Sequence, residues 1–116
     1  MGEQAAAFDK AAMMENFAGD TELFVQIAEI FLGDVPAQLA ALQAAEDSGD
    51  LASLRAAAHK IKGSVATFAA GDAHAAAKTL EQACHDGAGD KIPDLAAAVR
   101  AQTARLVAAL RAELGR

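Results

Sequence analysis

Tryptophan and tyrosine are absent from this chain, phenylalanine occurs five times and cysteine once. With so few aromatic rings there is no platform on which nucleic-acid bases could stack. The lone Cys84 cannot form an internal disulfide, so the fold needs no oxidising compartment, and a reduced cytoplasm is the expected setting. Positive charge is scarce as well, with 10 basic against 16 acidic residues and a formal net charge of -6. Neutralising a phosphate backbone requires a basic stripe, so nucleic acid is excluded as a partner and protein is expected instead. No run approaches the roughly 20 apolar residues of a membrane span, and the start "MGEQAAAFDK" lacks the basic and apolar regions of a leader, so neither secretion nor membrane insertion is expected. Alternating β-branched runs are missing, which argues against strands. The glycine loops G-x-x-x-x-G-K-[ST] and G-x-G-x-x-G are missing too, so the chain is not expected to hold ATP or to act as a self-sufficient enzyme.

What remains is a chain of 116 residues, 53% hydrophobic, rich in Ala, Leu, Glu, Gln, Lys and Arg and long enough for one core. The expectation is a single all-α domain over residues 1–116, an antiparallel up-down four-helix bundle with an additional short N-terminal helix. That short helix runs from about Phe8 to Phe17, with Gly19 at its C-terminal end and Asp20 capping the next. Leu23, Ile27, Ile30, Phe31, Val35, Leu39 and Leu42 then recur at spacings of three and four, an apolar stripe carried through Gly33 and Pro36 with a kink near Gly33. Asp50 caps a third helix from about Leu51 to Phe68 or slightly beyond. Gly71 and Asp72 punctuate the chain before a fourth, and Pro93 opens a fifth with Leu95, Val99, Leu106, Leu110 and Leu114 mostly on one face.

The third helix carries "AHKIKGSVATFAA". At 100° per residue, Leu54, Ala58, Ile61, Val65 and Phe68 fall within about 40° of one direction, which is the core, and His59 lies about 140° away. Arg55 and Lys62 lie on one flank of it, while Ala56, Gly63, Ala66 and Ala70 complete a low outer face. An outward glycine in a helix costs about 1 kcal/mol relative to alanine. Packing does not explain it, but clearance for a bulky partner does. An exposed imidazole between two cations suits reversible phosphoryl transfer, although a solvated histidine beside an ordinary lysine would read the same on these three residues alone.

Ala58, His59, Ile61, Lys62, Gly63, Ser64, Phe68 and Ala70 resemble the signature helix of the histidine phosphotransfer (HPt) family, approximately A-H-x-L-K-G-S-x-x-x-hydrophobic-G-A. The likeness extends through the preceding helix and turn and into "LEQACHDG". It implies that His59 is the phosphoacceptor, that Lys62 steadies phosphate and partner, and that Gly63 keeps the approach open, with Arg55, Ala56 and Ala66 on the receiver docking face. It further implies receiver domains of response regulators or hybrid histidine kinases as partners, with Mg2+ on the receiver only and no cofactor on this chain. Ala69 stands where the family usually has glycine, which would let the helix run on toward Ala70, and Ile61 replaces the commoner leucine. Ser64, at the edge of the core stripe, reads as structural.

Two other functions stay open from sequence: a non-catalytic helical adaptor or dimerisation bundle, and a phosphoacceptor domain excised from a larger hybrid histidine kinase, although the initiating Met and short tails favour a free-standing protein. Metal binding by His74, Cys84 and His85 is not expected, because gaps of ten and eleven residues from His74 are unlike ligand pairs and the adjacent Cys84 and His85 diverge by about 100° on a helix.

Overall fold

The computed structural model describes residues 6–116, and all of its regular structure is helical. A short α1 (Lys10–Asn16) precedes four long helices, α2 (Thr21–Ser48), α3 (Leu51–Ala66), α4 (Gly71–Asp86) and α5 (Ile92–Glu113). A 3-10 turn at Gly89–Lys91, not foreseen from sequence, leads into α5, where Pro93 occupies the first turn. Helix α2 packs on α3 and α5, α3 packs on α4, and α4 packs on α5.

Helix starts follow side-chain chemistry. Asp9, Asp20 and Asp50 each sit in extended backbone and accept from the amides of the first turn, satisfying donors that have no partner within the helix. Helix α2 continues unbroken through Gly33 and Pro36. Its buried face is Phe24, Ala28, Phe31, Val35, Leu42 and Ala45. This rotates the expected stripe, because Leu23 and Ile30 lie outside it, 40% and 59% exposed. The phase is set by Phe24, Phe31 and Phe68, the largest side chains available to that end of the core. Phe31 and Phe68 have ring centroids 5.1 Å apart, and Phe17 meets Phe24 edge-on at 5.8 Å. Such pairs add roughly 0.5–1.5 kcal/mol beyond the area they bury.

With apolar residues outside the core as well as within it, α2 includes an 18-residue window of mean hydropathy 1.3, enough by length and composition to cross a membrane. The expectation that no segment reaches that length is therefore corrected. In the fold, Phe24, Phe31 and Leu42 of this helix are buried against its neighbours, and Glu29 and Asp34 are exposed on it.

The turn after α3 differs from expectation most. The helix ends at Ala66, and Ala69, which was expected to prolong it, adopts a left-handed φ of 54°. Its amide donates to the Ala66 carbonyl and that of Ala70 to Val65, the paired bonds of a Schellman turn. Ala70, placed by the wheel on the outer face, is buried at the cap of α4, and Gly71 is the first residue of α4 rather than a breaker. Helix α1 repeats the device, with Ala18 at φ 53° and the Gly19 amide bonded to Met14. Helix α1 also covers the α3 turn, since the Asp9 amide donates to the Ala69 carbonyl and Asn16 Nδ2 to that of Thr67.

A left-handed alanine carries a steric penalty of roughly 1–2 kcal/mol that glycine avoids, partly offset by the freer unfolded glycine chain. Ala18→Gly and Ala69→Gly should therefore each stabilise the fold by about 0.5–1 kcal/mol. Denaturant midpoints check this; an unchanged or lowered midpoint for the exposed Ala18 variant would mean the left-handed backbone is not strained.

Candidate functional site

Burying Leu54, Ala58, Ile61 and Val65 fixes the azimuth of α3 and turns His59 outward, with a side chain 67% exposed. Arg55, Ala56, Gly63 and Ala66 are exposed beside it, and Lys62 is half-buried on the flank toward α4. The face expected from sequence is therefore brought together on one side of α3. Nothing lies within 4 Å of the place where a Gly63 side chain would begin, so the surface one turn past His59 is open space. Ser64 accepts from Gln38 of α2 at 3.2 Å, a bridge between helices consistent with its structural reading.

Sequence reasoning missed the residue that organises this face. Glu81 of α4 has one carboxylate oxygen 2.8 Å from His59 Nδ1 and the other 2.7 Å from Lys62 Nζ. Small residues make that reach possible. Ala58 on α3 and Ala73 and Ala77 on α4 are buried at or near zero exposure, letting the two helices lie close. Glu81 follows Leu80 and precedes Ala83 and Cys84, all buried, so its side chain leaves the core edge toward α3. In sequence it is one glutamate among many in a helical run, and only the packing of α4 on α3 distinguishes it.

The hydrogen bond from Lys62 holds the Glu81 carboxyl below its ordinary pKa, the bond from His59 adds to that, and partial burial opposes both. Glu81 is therefore ionised at neutral pH and can only accept hydrogen bonds. In a neutral His59 ring the proton must then be on Nδ1, and the Nε2 lone pair faces solvent. A depressed carboxyl pKa contributes stability above its unfolded value, near 4.5, which is lost as pH falls through the folded value. The clamp thus persists through neutral pH and releases only in acid. Chemically, the arrangement is an exposed nitrogen nucleophile whose opposite nitrogen is anchored to an anion.

The other candidates do not join this group. His74 lines a cleft of about 910 Å3 beside Phe8, Asp9, Ala69 and Asp72, which does not include His59, Lys62 or Glu81. Cys84 is buried, which pushes its thiol pKa up and leaves it a poor nucleophile. Among the described residues no three His, Cys, Asp or Glu side chains gather as a metal site.

The tautomer is directly observable. In a two-bond proton–nitrogen spectrum taken at about pH 8.5, where an ordinary imidazole is neutral, His59 should be protonated at Nδ1 and bare at Nε2. Glu81→Ala should shift the proton toward Nε2 while leaving His74 unchanged. A wild-type ring protonated at Nε2 would contradict the clamp.

Against known families, residues 26–113 match the family model described as Hpt domain. Searches of curated proteins and of solved structures returned no significant match.

Proposed function

Because the chain belongs to the Hpt domain family, whose members are phosphotransfer modules of phosphorelays, we propose that it relays a phosphoryl group between receiver-domain aspartates through His59. The observation that carries this reading is the His59 ring itself, tied to Glu81 at Nδ1 and bare at Nε2 on an exposed, low surface. Residues 1–116 are taken as one domain. Its four long helices are read as an up-down bundle, which the two-residue link between α2 and α3 and the packing of α5 on both α2 and α4 support.

The step begins with the Nε2 lone pair directed in line at the phosphorus of an aspartyl phosphate. As the N–P bond forms, the P–O bond to the aspartate breaks and its electron pair returns to that carboxylate. The ring becomes cationic as it gives up its lone pair, and the Glu81 carboxylate on Nδ1 stabilises the charge where it develops. The reverse step uses the same contacts. Lys62 has two roles in this reading: it holds the Glu81 carboxylate in place, and it adds positive charge to the face on which the phosphorylated partner arrives. Gly63, Ala56 and Ala66 keep the approach low enough for the partner's reacting atoms to reach bonding distance. The exposed Ile30, with Ile27 and the rim of Phe31, extends this surface onto α2 along a groove shared with Ser64 and Thr67. These are apolar contacts that the rotated α2 stripe makes accessible.

The partners proposed are receivers of response regulators or hybrid histidine kinases in the cytoplasm. No cofactor is proposed for this chain; a Mg2+ ion belongs to the receiver. The proposed role is that of a relay component, not of an enzyme with its own ATP site.

Mixing the protein with a panel of phosphorylated receiver domains tests the proposal. One or more receivers should label it with an acid-labile, alkali-stable phosphate, lost in His59→Gln and retained in His74→Gln. Full labelling of His59→Gln would defeat the assignment, and a protein that no receiver labels would leave a helical adaptor as the better reading.

Gly63 separates function from fold. Gly63→Ala should stabilise the helix by about 0.5–1 kcal/mol, since its added methyl meets nothing. Gly63→Leu should remain folded and accept phosphate from phosphoramidate, yet accept it more slowly from a receiver. Thermal midpoints and the two labelling rates check both outcomes, and a leucine variant labelled by receivers at the parent rate would place docking elsewhere.

A further inference from the structure

Between α3 and α4 lies a cleft of about 290 Å3 lined by Arg55, Lys62, Lys78, Glu81, Gln82 and His85. In a chain of net charge -6, three lysine or arginine side chains and a histidine converge here on a single carboxylate. Outside the cleft, Lys10 pairs with Glu113, Arg100 with Glu46, Arg105 with Asp72 and Arg116 with Glu29, while Lys60, Lys91 and Arg111 make no ion pair among the described residues and none of them lines this recess. In the cleft Glu81 is already occupied by Lys62 and His59. Arg55 and Lys78, both exposed, have no acidic partner among the described residues. The Arg55 charge is nevertheless directed at α4, since it acts on the Cys84 thiol and favours its ionised form against the larger effect of burial.

Position separates this cleft from the reacting atom. Glu81 lines it and bonds to Nδ1 of His59, whereas His59 itself is not part of its wall. The cleft therefore lies on the Nδ1 side of the ring, while the transferred group would sit on Nε2, across the imidazole. A cationic recess beside the reaction but not on it suits a fixed anion carried by whatever docks on the face. Unpaired guanidinium and ammonium groups on a partly enclosed wall attract a carboxylate more strongly than scattered surface charges do.

Resting on the phosphorelay reading above, we propose that the Arg55–Lys78 cleft is a specificity pocket that takes an aspartate or glutamate side chain from the docking receiver and so selects receivers with an acidic residue at that point of their surface. Arg55, on α3, contributes a planar fork able to hold a carboxylate with two bonds, and Lys78, on α4, adds a point charge. Gln82 offers a neutral donor on the same wall. Such complementarity raises the rate of encounter and rejects partners that present a cation there.

The test compares the parent protein with Arg55→Glu, Lys78→Glu and the double variant, using a receiver that labels the parent. At about 20 mM salt the double variant should lose tenfold or more in receiver-driven labelling, and the gap should close toward 0.5 M salt, where screening shortens the range of the field to a few ångströms. Replacing the matching acidic residue of the receiver with lysine should restore labelling of the double variant. Phosphoramidate labelling, which needs no docking, should fall far less than receiver-driven labelling, and thermal midpoints establish that the variants are folded. A folded double variant labelled by the receiver at the parent rate at low salt would overturn the pocket. Equal slowing with receiver and phosphoramidate would also overturn it, by showing that the cations act on the phosphoryl group. A parent that no receiver labels would instead defeat the phosphorelay reading on which the pocket rests.

Discussion

The Glu81 carboxylate, shared between His59 and Lys62 across two helices, is the interaction on which the site depends. It needs three conditions at once. The α3 stripe must bury so that His59 emerges on the α4 side of the outer face, alanines must bring the helix axes close, and Lys62 must hold the carboxylate in position between the two helices. None of these is costly to the fold, because Glu81 stays at the core edge where water still reaches it. A fully buried ion pair would instead carry a desolvation penalty of several kcal/mol per charge. The clamp adds little to stability and much to orientation, as a positioning group should.

Much of the site was legible in the sequence because it lies on one helix. His59, Lys62, Gly63, Arg55, Ala56 and Ala66 are related by helical periodicity alone, and burial of Ala58, Ile61 and Val65 sets their direction. Glu81 was not legible, since no local pattern marks which glutamate of α4 faces α3; that depends on helix separation and rotation, which are properties of packing. The same limit applies to Lys78 and His85. Their spacing from Glu81, three residues before and four after, puts all three on one face of α4, but nothing in the sequence says that the face borders Arg55.

The fold followed a similar division. Aspartate caps at Asp20 and Asp50 were readable because the side chain itself makes the bond. The C-terminal turn of α3 was misread, because Ala69 rather than a glycine turns left-handed there, two residues before Gly71. At the end of α1 Gly19 turns left-handed at the expected place, and Ala18 does so just before it. The reason lies in long-range bonds: the carbonyls of Thr67 and Ala69 are held by Asn16 and Asp9 from α1, and burial of Phe68 and Ala70 fixes the chain on either side of Ala69. Tertiary contacts hold a backbone that local preference disfavours. Helix α2 shows the converse case, in which a plausible apolar stripe was shifted by the demand that Phe24, Phe31 and Phe68 meet.

That shift connects the core to the working surface. Because the phenylalanines take the inner face of α2, Ile30 is left outside, in the groove shared with Ser64 and Thr67 of the His59 helix. On the opposite flank of α3 the surface is cationic rather than apolar, through Arg55, Lys62 and Lys78. A partner centred on His59 would therefore meet two unlike borders. The apolar border contributes area with little directional preference, whereas the charged border favours one sign and one orientation. In the proposed docking, affinity and selectivity would be carried by different helices, α2 and α4, with α3 holding the histidine between them. A change to one border should leave the other working, which a site built on a single helix face could not offer.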